Sequence, residues 1–430
     1  QSKKKNLSIV INHCWDMKIS FPKVYELGLI LLVSVWMILP NLIGLLGILF
    51  LCLVIFGALR KELVFERNGW LLAIFLFFPF YGVYALNSID SPEAMFSLEK
   101  KLSFLLFPLI FSFRPTFTLS IRRIENAFLA FLLLIISFCY LLSLMNYEDH
   151  NFDSAYLFSS HFSGLFHHPT YLSVFCALGI YLLFQRWQSP RSMRECLGSA
   201  LGILFLCYTH IHLESLSGLL FAMLLIAFVV GKWIWQRKGR TFFLGFFAVG
   251  ILAISLGISL IPSLQSNLKD SFTFLRDYLK DPYAYTHLPR GGIRGNDARL
   301  ILWSASAEIL SQHPNGVGVG NLPSAMEAKL LEYGQINLAQ KHYNSHNQFF
   351  HTAIETGWLG LLWLVFLVLG LIFWGIKNAS GILVVVTAGF AFNGLFESML
   401  ERQSGIVFWL LWSCLCLGLH RSFNSAHHES

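Results

Sequence analysis

The chain has 430 residues, of which 55% are hydrophobic, 16% aromatic and only 13% charged, with a mean hydropathy of +0.60. This composition excludes an ordinary soluble domain and implies a polytopic membrane protein. The formal charge of +7 fits the Lys and Arg excess of cytoplasmic loops, so no nucleic-acid partner is expected.

Taken in order, the apolar runs predict an all-α fold of about twelve spans. They fall near 24–40, 41–59, 69–86, 102–113, 126–146, 168–186, 197–213, 215–235, 241–262, 356–376, 379–397 and 404–420. The basic amino-terminal stretch leads into a first run without a convincing cleavage site, so that run is expected to stay as a helix. Placing both termini in the cytoplasm puts Arg60, Lys61, Arg122, Arg123, Arg186, Arg194, Arg237, Lys238, Lys377 and Arg421 on that side. The short loops of the other face hold only Lys100, Lys101 and Arg402 as basic residues. The eight cysteines lie in or beside apolar segments with no C-x-x-C pair, so neither a disulfide framework nor a structural zinc site is indicated.

One external connection, between the ninth and tenth spans, is far longer than the rest. It divides the chain into an amino-terminal bundle (1–261), a partly helical loop (262–355) and carboxyl-terminal spans with a tail (356–430). Within the loop, Asp297 to Leu310 reads as an amphipathic helix, His313 to Asn321 as a glycine turn and Ala325 to Tyr333 as another helix. The G-V-G-V-G run lacks the lysine and the strand-to-helix context of a phosphate loop, so it reads as a turn.

The loop returns to the apolar region through N-S-H-N-Q-F-F-H-T-A-I-E-T-G-W-L-G, Asn344 to Gly360. Ser345 and Gln348 have the spacing of a capping box, which predicts a helix starting at His346. A ring at the positive end of a helix dipole would stay neutral and accept a proton, making His346 the candidate general base. On the helical wheel Phe350, Ala353, Gly357 and Gly360 share its face, while Glu355 lies roughly opposite and is not expected to pair with it. Ser345, Gln348, Glu355, Gly357 and Gly360 are therefore structural support.

Arg290, Arg294 and Arg299 cluster before and within the first loop helix, on a face otherwise poor in basic residues. Their planar forks suit a phosphate or pyrophosphate, with Lys100 and Lys101 as further cations. His161, His168 and Asn347 are candidates to line the substrate cavity. No helical H-x-x-x-H or H-E-x-x-H spacing supports a metal, and no cofactor is expected.

The ordered set R-L-x-L-W, H-P-x-G-V-G-x-G-N and H-N-Q-F-F-x-x-x-x-E-x-G-x-x-G resembles the O-antigen ligase and polymerase superfamily of bacterial inner membranes. The resemblance implies an inverting, metal-independent glycosyl transfer at the periplasmic leaflet. The donor would be an undecaprenyl-pyrophosphate-linked glycan, the acceptor a lipid A-core sugar, and membrane lipids the surroundings. By position, His346 would be the base and Arg299 the pyrophosphate ligand, while Lys100 or Lys101 would match a basic residue before the fourth span. The chain departs from the pattern at S-L-S-G, Ser215 to Gly218, where Leu216 stands in place of an arginine. Arg290, Arg294 and His168 are candidates to replace it. A polymerase would join carrier-linked repeat units by the same chemistry. A lipid-linked glycan transporter would require intramembrane charges and internal repeats, neither of which is clear in the sequence.

Overall fold

A computed structural model describes residues 20–88, 91–246, 248–250, 262–288 and 295–420. Apolar segments with few charges pair their backbone internally, and that is what a lipid environment demands of a spanning element. Among the described residues, five helices are long and apolar enough to cross a membrane: Pro40–Leu59, Ile121–Asp149, Met193–Leu213, Leu216–Lys238 and Gln348–Lys377. The shorter apolar helices Gly69–Ala85, Gly381–Gly394 and Gln403–Gly418 accompany them. The protein is an all-α membrane protein with, among the described residues, one small addition: strands Leu63–Phe65 and Phe113–Pro115 pair antiparallel between two connections.

Two helices form the centre. Every residue of 169–180 and of 404–417 is buried, so these segments are enclosed by protein on all sides, whereas Pro40–Leu59 leaves one face open. Helix Pro169–Gln188 packs against Met193–Leu213, Leu216–Lys238, Gly381–Gly394 and Gln403–Gly418. Aromatic side chains fill the middle, with Phe390 stacked on Trp409 at 3.9 Å and Trp412 edge-on to Phe128.

The expected fourth span, 102–113, is not a single membrane-length helix. Helix Pro92–Lys101 ends at Leu102 and Ser103–Phe111 follows. Nine residues rise only about 14 Å, too short to cross about 30 Å of hydrocarbon. The run expected as a span at 241–262 lies partly outside the described residues.

The long loop has its own small core. Ala298, Ile301, Leu302, Ala305 and Ile309 of helix Asn296–Gln312 meet Met326 and Leu330 of helix Leu322–Glu332. Ile354 of helix Gln348–Lys377 completes this core, so the last helical turns before Gly357 belong to the loop as much as to the bundle.

Candidate active site at the loop end of the bundle

The entry into helix Gln348–Lys377 differs from the capping-box expectation. The cap is Asn347, whose Oδ1 accepts from the amides of Phe349 (2.9 Å) and Phe350 (3.0 Å). Ser345 instead donates its hydroxyl to the Asn347 carbonyl at 2.9 Å. Asparagine competes because its carbonyl reaches two first-turn amides at once. His346 thus lies before the cap, in the left-handed region at φ 43°, with its amide held by Asn344 Oδ1 at 2.9 Å. Its ring sits beside a carboxylate and not among first-turn amides: Nδ1 is 3.4 Å from Glu397 Oε2. Left-handed backbone on a non-glycine residue costs free energy and persists only where the surroundings fix it.

The connection between Gly381–Gly394 and Gln403–Gly418 is fastened to this entry. Asn347 Nδ2 donates to the Leu395 carbonyl at 3.1 Å, and the Leu400 amide donates to Gln348 Oε1 at 2.5 Å. The other Gln348 amide group donates to Thr352 Oγ1. Two consecutive polar side chains therefore hold the connection on both sides of Glu397.

Around Glu397 stand His346, His168 and Arg299. Burial alone would raise its carboxyl, but those three groups outweigh burial and hold it below the usual carboxylate range. Burial pushes the His168 imidazole below its ordinary value, with Glu397 opposing. Arg299, in the first turn of Asn296–Gln312, is likewise lowered by burial and supported by Glu397. One turn on, Trp303 meets Phe396, which places this loop helix against the Glu397 connection. Arg402 lies close enough to act on His168 and is exposed. The His346 side chain is 26% exposed, so the group is open on one side.

A second ionic group is closed. Glu401 receives Lys100 at 2.6 Å and Lys101 at 2.8 Å, and His351 Nε2 lies 3.1 Å from its Oε1. His351 is also 3.5 Å from Glu355, which accepts from the Tyr81 hydroxyl and from the Gly320 amide at 3.4 Å. Burial opposes ionisation of Glu401, yet His351, Lys101 and Lys100 hold it well below the usual range. Lys100 and Lys101 are thus committed to a protein carboxylate, unlike the free cations expected from sequence. His351, Glu355 and Glu401 bring potential ligand atoms within 4.8 Å of one another. A divalent ion there would face two ammonium groups already on Glu401, so the donor set fits an ion-pair network and not a metal.

The glycine run is a packing device. The amides of Gly316, Val317, Gly318, Val319 and Gly320 all donate to protein acceptors: the carbonyls of His313, Ile354, Glu355 and Tyr84 and the Glu355 carboxylate. None of the five points free at a phosphate. Gly357 breaks the helix at φ 67°, and a Cβ there would come within 2.6 Å of the Pro314 carbonyl oxygen. Gly360, also buried, continues the helix beyond the break.

The other expected residues are distributed unevenly. His161 is exposed and lies beside the Tyr156 ring. His167 is buried and structural: its Nε2 donates to the Met37 carbonyl at 2.7 Å while Ser404 donates to its Nδ1. Arg290 and Arg294 lie outside the described residues. In S-L-S-G, Ser215 caps helix Leu216–Lys238 and Gly218 packs on Ser173, while Leu216 is exposed.

Glu397, Glu401, Arg402 and His351 were not identified from the sequence. The signal was an acid–acid–arginine set, Glu397, Glu401 and Arg402, between two apolar runs. Reading a span to 397 absorbed the first acid, although carboxylates at span ends point to function. His351 and Glu355 also have the i,i+4 spacing that brings side chains together on a helix.

The family model described as O-antigen ligase matches residues 200–365. The match takes in Leu216, the long loop with Arg299, and the helix entry with His346, Glu355, Gly357 and Gly360; Lys100, His168 and Glu397 lie outside it. None of the curated proteins matches the chain. This match supports the resemblance to the O-antigen ligase superfamily over that part of the chain.

Proposed function

We propose that this chain, which resembles O-antigen ligases over residues 200–365, transfers a glycan from undecaprenyl pyrophosphate to a lipid A-core sugar at the periplasmic leaflet. The observation that carries this reading is the convergence of Arg299 and His346 on one partly open group at the loop end. A lipid pyrophosphate leaves readily once its charge is balanced, so the chemistry needs a cation for the departing anion and a base for the acceptor hydroxyl. Arg299 supplies the cation, with Arg402 close by and Arg290 and Arg294 as further candidates. His346 takes the proton as the acceptor oxygen bonds to the anomeric carbon from the face opposite the leaving group. In the same step the carbon–oxygen bond to the pyrophosphate breaks, its electron pair leaves with the pyrophosphate held by Arg299, and the anomeric centre inverts. His168 and Asn347 border the same opening. Lys100 and Lys101 act at one remove, by fixing the connection that carries Glu397. The loop lies on the periplasmic side of the inner membrane and both termini lie in the cytoplasm, consistent with the distribution of Lys and Arg.

A polymerase uses the same groups with a second carrier-linked glycan as acceptor. Reconstituted protein supplied with undecaprenyl-pyrophosphate-linked oligosaccharide and either lipid A-core or a second carrier-linked glycan separates the two. Transfer to lipid A-core is expected. Extension only on the second carrier makes the protein a polymerase, and transfer to neither acceptor overturns the reading.

A further inference from the structure

We infer that Glu397 is the positioning residue for His346, accepting its Nδ1–H and so presenting the Nε2 lone pair to the acceptor hydroxyl. This rests on the proposed role of His346 as base. Four observations carry it. His346 Nδ1 is buried and makes no hydrogen bond in the structure, and Glu397 Oε2 stands 3.4 Å from it, an ion-pair distance from which a small rotation of the ring brings the N–H onto the carboxylate. The His346 backbone is held in the left-handed region by Asn344, which aims the ring at the connection and away from the helix. The Glu397 side chain is only 14% exposed, and its own backbone segment is held by Asn347 and Gln348, the residues that follow His346. Finally, Glu397 faces Arg299 and His168 as well as His346, with Arg402 beyond His168, so it links the base to the donor-binding arginine.

The chemistry follows from imidazole. In the neutral ring one nitrogen carries the proton and the other accepts, and a carboxylate can only accept from the first. A carboxylate on Nδ1 therefore fixes the tautomer with Nε2 as base and stabilises the imidazolium formed when Nε2 takes the proton. A carboxylate present only to balance Arg299 would do neither. It would govern donor binding and leave the ring tautomer indifferent to its loss.

The test uses the full-length protein in bilayers and has two arms. The first needs no substrate. Nitrogen-15 spectra of labelled histidine at pH 8, with the His346 signals identified by their loss in His346→Ala, are expected to show Nδ1 protonated in the native protein. Glu397→Leu, which has no acceptor, is expected to lose that preference. An unchanged tautomer overturns the inference, whatever the protein's activity. In the second arm, Glu397→Gln is assayed with undecaprenyl-pyrophosphate-linked oligosaccharide and lipid A-core. Turnover is expected to fall by about 10²- to 10⁴-fold, the upper end being the loss on replacing the carboxylate behind a catalytic histidine by its amide, with donor KM unchanged or lower. In a His346→Ala background the same substitution is expected to add no further loss. A raised donor KM at native turnover, or a full further loss in the His346→Ala background, makes Glu397 a charge-balancing residue. If His346→Ala itself transfers at the native rate, the base assignment fails and this inference fails with it. If Glu397→Leu does not fold, Glu397→Ala, which also lacks an acceptor, replaces it in the spectra, and loss of the tautomer preference is again the expected result.

Discussion

The two ionic groups at the loop end are built from the same kinds of residue on the same two segments, yet one is closed and the other open. His351 and Glu401 meet Lys100, Lys101 and Glu355 in a site where each carboxylate has several partners. His346 and Glu397, displaced by five and four residues along those segments, meet beside a solvent-facing opening. A buried pair must balance its own charges or lose stability, and in the closed group Lys100, Lys101 and His351 balance the Glu401 carboxylate. The open group keeps one side of the His346 ring accessible. Residue type did not distinguish the two; closure does.

Several substitutions break or sharpen this contrast. The largest change in stability is expected in the closed group. Glu401→Gln leaves two buried ammonium groups without their carboxylate and should cost about 3–5 kcal/mol, read as a lower Tm of the detergent-purified protein. Arg299→Ala should act on function instead, weakening donor binding by about 1.5–3 kcal/mol with little change in Tm; lysine should restore only part of it. Asn347→Ala removes the helix cap between the groups and should cost about 1 kcal/mol of stability.

The smallest effect is a pH dependence. The Glu401 carboxyl is held below its unfolded value, so its stabilisation is complete above about pH 4.3 and is lost as the pH falls toward the folded value. The Tm gap between native protein and Glu401→Gln should therefore narrow as the pH drops below about 4.3. A gap that stays constant down to pH 3 would remove the carboxylate's charge from the explanation.

Much of the fold was legible because the bilayer writes long apolar runs into the chain. The helix expected over 297–310 runs Asn296–Gln312, and the glycine turn lies where the spacing placed it. The exact entry into the last long helix was not legible. Ser345 and Asn347 are both good caps, and only the tertiary contact of Asn347 with Leu395 favours the second. Lys100 and Lys101 looked available because their partner, Glu401, lies about three hundred residues away in sequence. Arg299 and His346 could be proposed from the sequence, but Glu397 between them required the packing of a connection that had been read as the end of a span.

The most direct test compares His346→Ala with His351→Ala in the same membrane preparation, measuring Tm and single-turnover transfer for each. The expected result is that His346→Ala keeps the native Tm and loses transfer by about 10²- to 10⁴-fold, whereas His351→Ala lowers Tm and recovers near-native transfer per folded molecule. Native transfer by folded His346→Ala, or a His351→Ala protein that is fully stable and inactive, would contradict the division into an open functional group and a closed structural one.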